Sequence, residues 1–216
     1  MPVYWLTDEI IFPPVSGAEE GVVAVGGDLA PERLLLAYRS GIFPWYSEDE
    51  PILWWSPDPR FVLFPAELKV STSMRQLLRK KVFEVTYNRS FTSVVENCAI
   101  AKRAGQHGTW ITDEMIEAYT KLHELGYAHS VEVWRGDELV GGLYGVILGK
   151  CFFGESMFHK ADNASKYGFI TFVQKLHHEG FVLVDCQVHT QLLETLGARF
   201  IPRSKFIEII REHSSG

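Results

Sequence analysis

Cysteine is scarce in this chain of 216 residues. Cys98, Cys151 and Cys186 are odd in number and far apart, which speaks against a disulfide framework and fits a reducing cytoplasm. Neither C-x-x-C nor H-x-x-x-H occurs, so no metal site is expected, and no cofactor is implied. No stretch approaches the ~20 apolar residues of a membrane span. The opening Met-Pro-Val-Tyr-Trp-Leu-Thr-Asp-Glu lacks the basic region of a signal peptide. Positive charge is also short: Lys and Arg number 21 against 27 Asp and Glu, a net −6. That balance excludes general nucleic-acid coating but leaves room for one local basic patch. Hydrophobic content of 46% is ordinary for a globular protein that buries a sizeable core.

What is present is unevenly distributed. The first ~60 residues hold most of the prolines and four of the six tryptophans, Trp5, Trp45, Trp54 and Trp55. Gly41-Ile42-Phe43-Pro44-Trp45-Tyr46 and Trp54-Trp55-Ser56-Pro57-Asp58-Pro59-Arg60 read as proline-pinned aromatic loops, with one helix before them. That helix has Asp28 as a possible cap, Pro31 in the first turn, and Leu34, Leu35, Ala37 and Tyr38 on its apolar face. This texture predicts a small N-terminal domain over 1–60 and a second domain over 61–216. Beyond Lys69 the spacing predicts helices over 71–80, 91–103, 112–125, 163–178 and 190–196. Strands are expected over 82–87, 128–134, 138–147, 151–158 and 181–188, with a last strand–helix unit ending near Arg211. An antiparallel meander followed by alternating helix and strand is an α+β arrangement, not a wound parallel sheet.

The strand from Phe181 delivers Asp185 and Gln187 to its carboxyl end. Two residues apart on an extended strand, they fall on one face. Such a pair can hold, orient and deprotonate a small nucleophile, or Asp185 can simply cap the following turn. Cys186 between them points to the opposite face and reads as structural. The strand order matches an acetyltransferase-like (GNAT-type) mixed sheet, but that fold's helix opens on a glycine-rich pyrophosphate cradle. Here the stretch from His159 to Lys166 contains no glycine, which disfavours an acyl-CoA donor. Lys69, Arg75, Arg79, Lys80 and Lys81 fall within an acid-free stretch, and Arg75 and Arg79 share a helix face that phosphates could bridge. The alternative is a solvated helix end whose cations suit the macrodipole. Trp45, Tyr46, Trp54, Trp55 and Trp110 offer stacking surfaces for unpaired bases, although Trp54 or Trp55 and Trp134 also suit core packing. A non-catalytic binder of nucleic-acid ends accounts for the cations and tryptophans but leaves Asp185 and Gln187 idle.

Seven strings carry a resemblance across nearly the whole chain: Gly26-Gly27-Asp28-Leu29, Gly41-Ile42-Phe43-Pro44-Trp45, Trp54 to Arg60, Gly108-Thr109-Trp110-Ile111, Gly154-Glu155-Ser156-Met157-Phe158, Asn163-Ala164-Ser165-Lys166 and Asp185-Cys186-Gln187. In this order they resemble the leucyl/phenylalanyl-tRNA–protein transferase family. The resemblance implies a bacterial cytoplasmic enzyme of the N-degron pathway, with a small N-terminal domain and an acetyltransferase-like C-terminal domain. It would take leucine, phenylalanine or methionine from Leu-tRNA, Phe-tRNA or Met-charged tRNA. The acceptor would be the α-amine of proteins beginning with Arg or Lys. It also implies Trp45 and Trp110 flanking the aminoacyl-adenosine end, and Phe152 and Phe172 around the amino-acid side chain. Glu155 and Gln187 would contact the reacting groups, Asp185 would polarise Gln187, and Arg75, Arg79, Lys80 and Lys81 would meet the acceptor stem. No cofactor, metal or membrane is expected, and a monomer is.

Overall fold

The computed structural model describes residues 4–47, 49–101 and 111–214. Two sheets divide its strands. The smaller is formed by β1 (Tyr4–Leu6), β2 (Val22–Gly26), β3 (Phe43–Pro44) and β4 (Leu53–Trp55) in the order β1-β2-β4-β3. Helix α1 (Pro31–Arg39) lies between β2 and β3 with Pro31 in its first turn, where the missing N–H costs nothing. Asp28 does not cap α1. Its Oδ1 accepts from the Ala30 N–H at 2.9 Å, and its carboxylate binds the buried Arg33. Trp54 is fully buried, donates its indole N–H to the Gly26 carbonyl at 2.8 Å, and meets Phe12 edge-on.

The larger sheet begins with β5 (Arg60–Leu63). It is completed by β6 (Glu84–Tyr87), β7 (Ala128–Arg135), β8 (Glu138–Leu148), β9 (Cys151–His159), β10 (Leu183–Gln187) and β11 (Arg199–Ile201), in the order β11-β5-β10-β9-β8-β7-β6. Only β9 and β10 run parallel; the other neighbours are antiparallel, so the sheet is mixed and the class α+β. The helices are α2 (Thr72–Lys80), α3 (Phe91–Ile100), α4 (Asp113–Glu124), α5 (Ala164–His178), α6 (Gln191–Thr195) and α7 (Arg203–His213). Three have side-chain caps. Ser71, Thr112 and Thr190 accept from the N–H groups of Met74, Met115 and Leu193. The helix expected over 91–103 ends at Ile100, and residues 102–110 fall outside the described ones.

Both faces of the larger sheet are buried, which is why its central strands read as continuous apolar runs. On one face Val62, Tyr144, Phe153 and Leu183 pack with Leu34 and Tyr38 of α1, Val94 of α3, Tyr119 of α4 and Phe206 of α7. On the other, Phe61, Leu143, Phe152 and Val184 pack with Met74 of α2, Phe169 and Val173 of α5, and Leu193 of α6. Alternate residues of each strand serve opposite cores, as period-two side chains must. The first core also takes in Ala24 and Trp54, so the small sheet and the large one share it.

Candidate active site

Backbone pairing between β9 and β10 runs from Leu183↔Cys151 to Asp185↔Phe153 and stops there. At that parting lies a cavity of about 390 Å³. Phe43, Pro44 and Trp45 wall it from the small sheet, Leu143 and Tyr144 from β8, and Phe152, Glu155 and Met157 from β9. Phe169, Leu192 and Leu193 close it from α5 and α6, and Asp185, Gln187 and Val188 form its β10 margin. Gly145 makes the Phe152 wall possible. A Cβ there would lie 2.1 Å from the Phe153 carbonyl oxygen and 2.6 Å from the Phe152 ring.

Asp185 is wholly buried and held by Arg60, itself fully buried, through two charge-assisted bonds: Nε to Oδ1 at 2.9 Å and Nη2 to Oδ2 at 2.7 Å. The Arg60 guanidinium lies between the rings of Phe43 and Phe206, 4.7 and 4.6 Å from their centroids. Oδ1 of Asp185 also accepts the Gln187 backbone N–H at 3.0 Å. A bulge lies between Asp185 and Gln187, and Gln187 has φ of 61°. The regular alternation expected of this strand therefore breaks at its end. Asp185 engages the Gln187 main chain, not its carboxamide. The carboxamide instead donates from Nε2 to Glu155 Oε1 at 2.8 Å.

Glu155 follows Phe153 by two residues and faces the same side of the sheet. Tyr38 of α1 donates to its Oε1 at 2.7 Å and Tyr119 of α4 to its Oε2 at 2.9 Å. The two phenol oxygens also contact one another. Burial pushes the Glu155 carboxyl up to about 7; the three donors pull it back only in part, and the Asp185 charge adds to the rise. Both phenols stay protonated, since burial first and the Glu155 charge second hold them well above the usual tyrosine range. The Cys186 thiol is likewise pushed up by burial and then by Asp185, which removes it as a thiolate nucleophile.

Trp45, Phe152, Glu155, Asp185 and Gln187 thus meet at one cavity. Phe172 stands behind Phe152, edge-on at 4.9 Å, and Phe169 takes the wall position that the resemblance implied for it. Trp110 lies outside the described residues. Arg75, Arg79, Lys80 and Lys81 are exposed on and just beyond α2, on the α5 and α6 side of the sheet, and none lines the cavity. Among the described residues none of the four is in an ion pair. Arg60, Tyr38 and Tyr119 escaped the sequence reading. Arg60 stands inside the distinctive Trp54 to Arg60 string, while in sequence Tyr38 belongs to an apolar helix face.

Comparison with known proteins agrees over both sheets. A family model described as leucyl/phenylalanyl-tRNA protein transferase matches residues 62–211, and one for that family's N-terminal domain matches 27–58. The chain is 62% identical over 213 residues to the leucyl/phenylalanyl-tRNA–protein transferase of Syntrophus aciditrophicus, covering 98% of this chain and 89% of that protein. It is 58% identical over 214 residues to that of Syntrophobacter fumaroxidans, covering 99% and 92%. Among solved structures, a GCN5-related N-acetyltransferase-like protein from Streptococcus suis aligns with a TM-score of 0.39 at 13% identity, over 66% of this chain and 57% of that one. That likeness is too slight to add to the strand order given above. The matched family models and the relatives' identities have one reading: this chain is a transferase that belongs to the leucyl/phenylalanyl-tRNA protein transferase family.

Proposed function

We propose that the chain transfers leucine, phenylalanine or methionine from an aminoacyl-tRNA to the α-amine of proteins that begin with arginine or lysine, marking them for degradation in the N-degron pathway. The observation that carries this reading is the meeting of an apolar cavity with the Glu155–Gln187 pair at the parting of two strands. The cavity sits at the lower end of the roughly 300–1,000 Å³ usual for small-molecule sites. Phe152, Met157, Phe169 and Leu143 give it the lining suited to an unbranched, branched or aromatic apolar side chain. Apolar walls separate such residues by only ~10–200-fold, so breadth of donor follows naturally. Trp45 stacks on the terminal adenosine, and the four cations of the α2 region meet acceptor-stem phosphates.

The donor is an activated ester, and the acceptor arrives as an ammonium with pKa near ~7.7–8.0. Glu155, pushed to about 7, takes the ammonium proton at little cost. The freed nitrogen attacks the ester carbonyl carbon. A C–N bond forms, the C–O bond to the terminal ribose breaks, and the ribose oxygen leaves with a proton from the attacking nitrogen. One proton is released overall. Gln187 fixes the amine beside the carbonyl, where positioning alone contributes several of the roughly 7–11 kcal/mol available to well-oriented reactants. Asp185, whose oxygens already hold Arg60 and the Gln187 N–H, supports that geometry, and the proton-accepting role passes to Glu155. With Asp185 paired to Arg60, Glu155, before it takes the proton, is also the negative group at the cavity that draws a basic N-terminus. The test is transfer of radiolabelled leucine from Leu-tRNA to a protein starting with arginine, beside the same protein starting with an acidic residue. Label on the arginine protein alone is expected. Charged tRNA that binds without any transfer would leave a tRNA-end binder.

A further inference from the structure

Four polar side chains from four elements converge on one buried point: Tyr38 of α1, Tyr119 of α4, Glu155 of β9 and Gln187 of β10. Tyr38 and Tyr119 are fully buried, each donates to Glu155, and their two oxygens touch. Two donors suffice to satisfy a carboxylate; the contact between the phenols is surplus to that task. We propose that Tyr38 and Tyr119 are positioning residues of the transfer reaction, a pair of phenols that lets Glu155 take up and return one proton with no buried polar group left unpaired. This rests on the reading of Glu155 as the proton acceptor.

Each protonation state has a complete set of bonds. With Glu155 ionised, Tyr38 donates to Oε1, Tyr119 donates to Oε2, and Gln187 Nε2 shares Oε1. When a proton arrives on Oε2, Glu155 becomes a donor to the Tyr119 oxygen. The Tyr119 hydroxyl turns to the Tyr38 oxygen, and Tyr38 keeps its bond to Oε1. The ring closes through the phenol–phenol contact, and no atom other than hydrogen moves. Without that contact the protonated state would strand a buried donor, which is costly in a low-dielectric site. Tyr144 of β8 stands edge-on to Tyr119 with centroids 5.6 Å apart, Asp185 of β10 is paired with Arg60 of β5, and among the described residues no Lys or Arg forms an ion pair with Glu155. The arrangement also explains why residues before β5 belong to the site: Tyr38 is the small-sheet side's one contact with the reacting carboxylate among the bonds described.

Removing one phenol deprives mainly the ionised state of a donor, so Glu155 should hold its proton to higher pH. The experiment follows transfer against pH for the full chain and for Tyr38→Phe and Tyr119→Phe, with one acceptor protein throughout so that the amine's own titration cancels. In parallel, carbon-13 NMR of glutamate labelled at Cδ reads Glu155 directly, with Glu155→Gln assigning its signal. Expected for either variant is an upward move of about one pH unit in both the Glu155 midpoint and the acid limb of the rate, with the rate recovering at high pH and KM for the charged tRNA unchanged. Tyrosine fluorinated at ring position 3, a stronger donor of nearly the same shape, should move both midpoints down and needs no change of packing. An unmoved Glu155 midpoint in these proteins overturns the proposal. A rate lowered equally at every pH does so as well, since it marks a merely structural role. A Glu155 midpoint that moves while the rate profile does not leaves the ring intact but removes Glu155 as the acceptor, which overturns the functional reading and not the geometry.

Discussion

Gln187 holds a left-handed backbone angle, φ of 61°, which costs a non-glycine residue on the order of 1–3 kcal/mol unless its surroundings compensate. The compensation runs through a short chain of bonds. Arg60 fixes Asp185 with two parallel bonds, Asp185 fixes the Gln187 N–H, and the Gln187 carboxamide is thereby aimed at Glu155. Lysine carries the charge of arginine but not its planar fork. Arg60→Lys should therefore keep one bond to Asp185, lose the ring-stacked guanidinium, and loosen the bulge. The expected outcome is a fall in kcat of about tenfold or more, the equivalent of ~1.4 kcal/mol, with KM for charged tRNA little changed. Steady-state transfer kinetics on the folded variant check it, and an unchanged kcat would separate the Gln187 geometry from Arg60. At this scale the sequence was informative where partners are close along the chain. Asp185 and Gln187 stand out because they are two residues apart. Arg60 lies 125 residues from Asp185, and Tyr38 lies 117 from Glu155. A tyrosine on a helix face also reads as apolar until its hydroxyl partner is seen, so nothing local marks either residue as part of the site.

Among the elements, α2 has the clearest local logic. Ser71 caps it, Met74 anchors it in the second core, and Lys81 ends it in a left-handed turn with its N–H on the Leu78 carbonyl. Arg75 is tied back to the Val70 carbonyl through Nε, while Arg79, Lys80 and Lys81 project outward. Exposed cations at a helix end gain only a few tenths of a kcal/mol to about 1 kcal/mol from the macrodipole, so folding alone places little demand on so many. Their use is instead expected in binding: each phosphate contact contributes close to one unit to the slope of log affinity against log salt. Replacing Arg79 and Lys80 together by alanine should weaken binding of charged tRNA and flatten that slope by about 2, with the folded state unperturbed. Filter binding or fluorescence anisotropy at several salt concentrations reads both quantities, and an unaltered slope would return α2 to the status of a solvated helix end. Element boundaries were legible wherever a cap or a glycine punctuates the chain, as at Ser71, Thr112, Thr190 and Gly126. The β10 bulge was not, because the continuous apolar run up to Val184 gives no sign that the next residues depart from a regular strand.

At the scale of the whole molecule, the question is whether the small sheet behaves as a separate body. The change of sheet falls between Trp55 and Arg60, in the same region where composition changes. Packing runs across it. Leu34 and Tyr38 of α1 share a core with Tyr144 and Phe153 of the large sheet and with Phe206 and Ile210 of α7. Gly41 sits at this seam with φ of 74°, and a Cβ there would lie 2.3 Å from the Ile207 side chain and 3.0 Å from the Phe206 ring. Phe206 in turn covers Arg60, so a shift at Gly41 presses on the support of Asp185. Gly41→Ala combines a backbone angle that alanine resists with an overpacked contact, each costing on the order of 1–3 kcal/mol. If one core unites the two sheets, the variant should melt lower in a single transition, by several degrees. That transition should be the same by tryptophan fluorescence, to which four of the six tryptophans contribute from the first 60 residues, and by far-ultraviolet circular dichroism, which the large sheet and its helices dominate. Two separated transitions, with the fluorescence change coming first, would instead make the small sheet an independent unit that docks Tyr38 and Trp45 onto a preformed site.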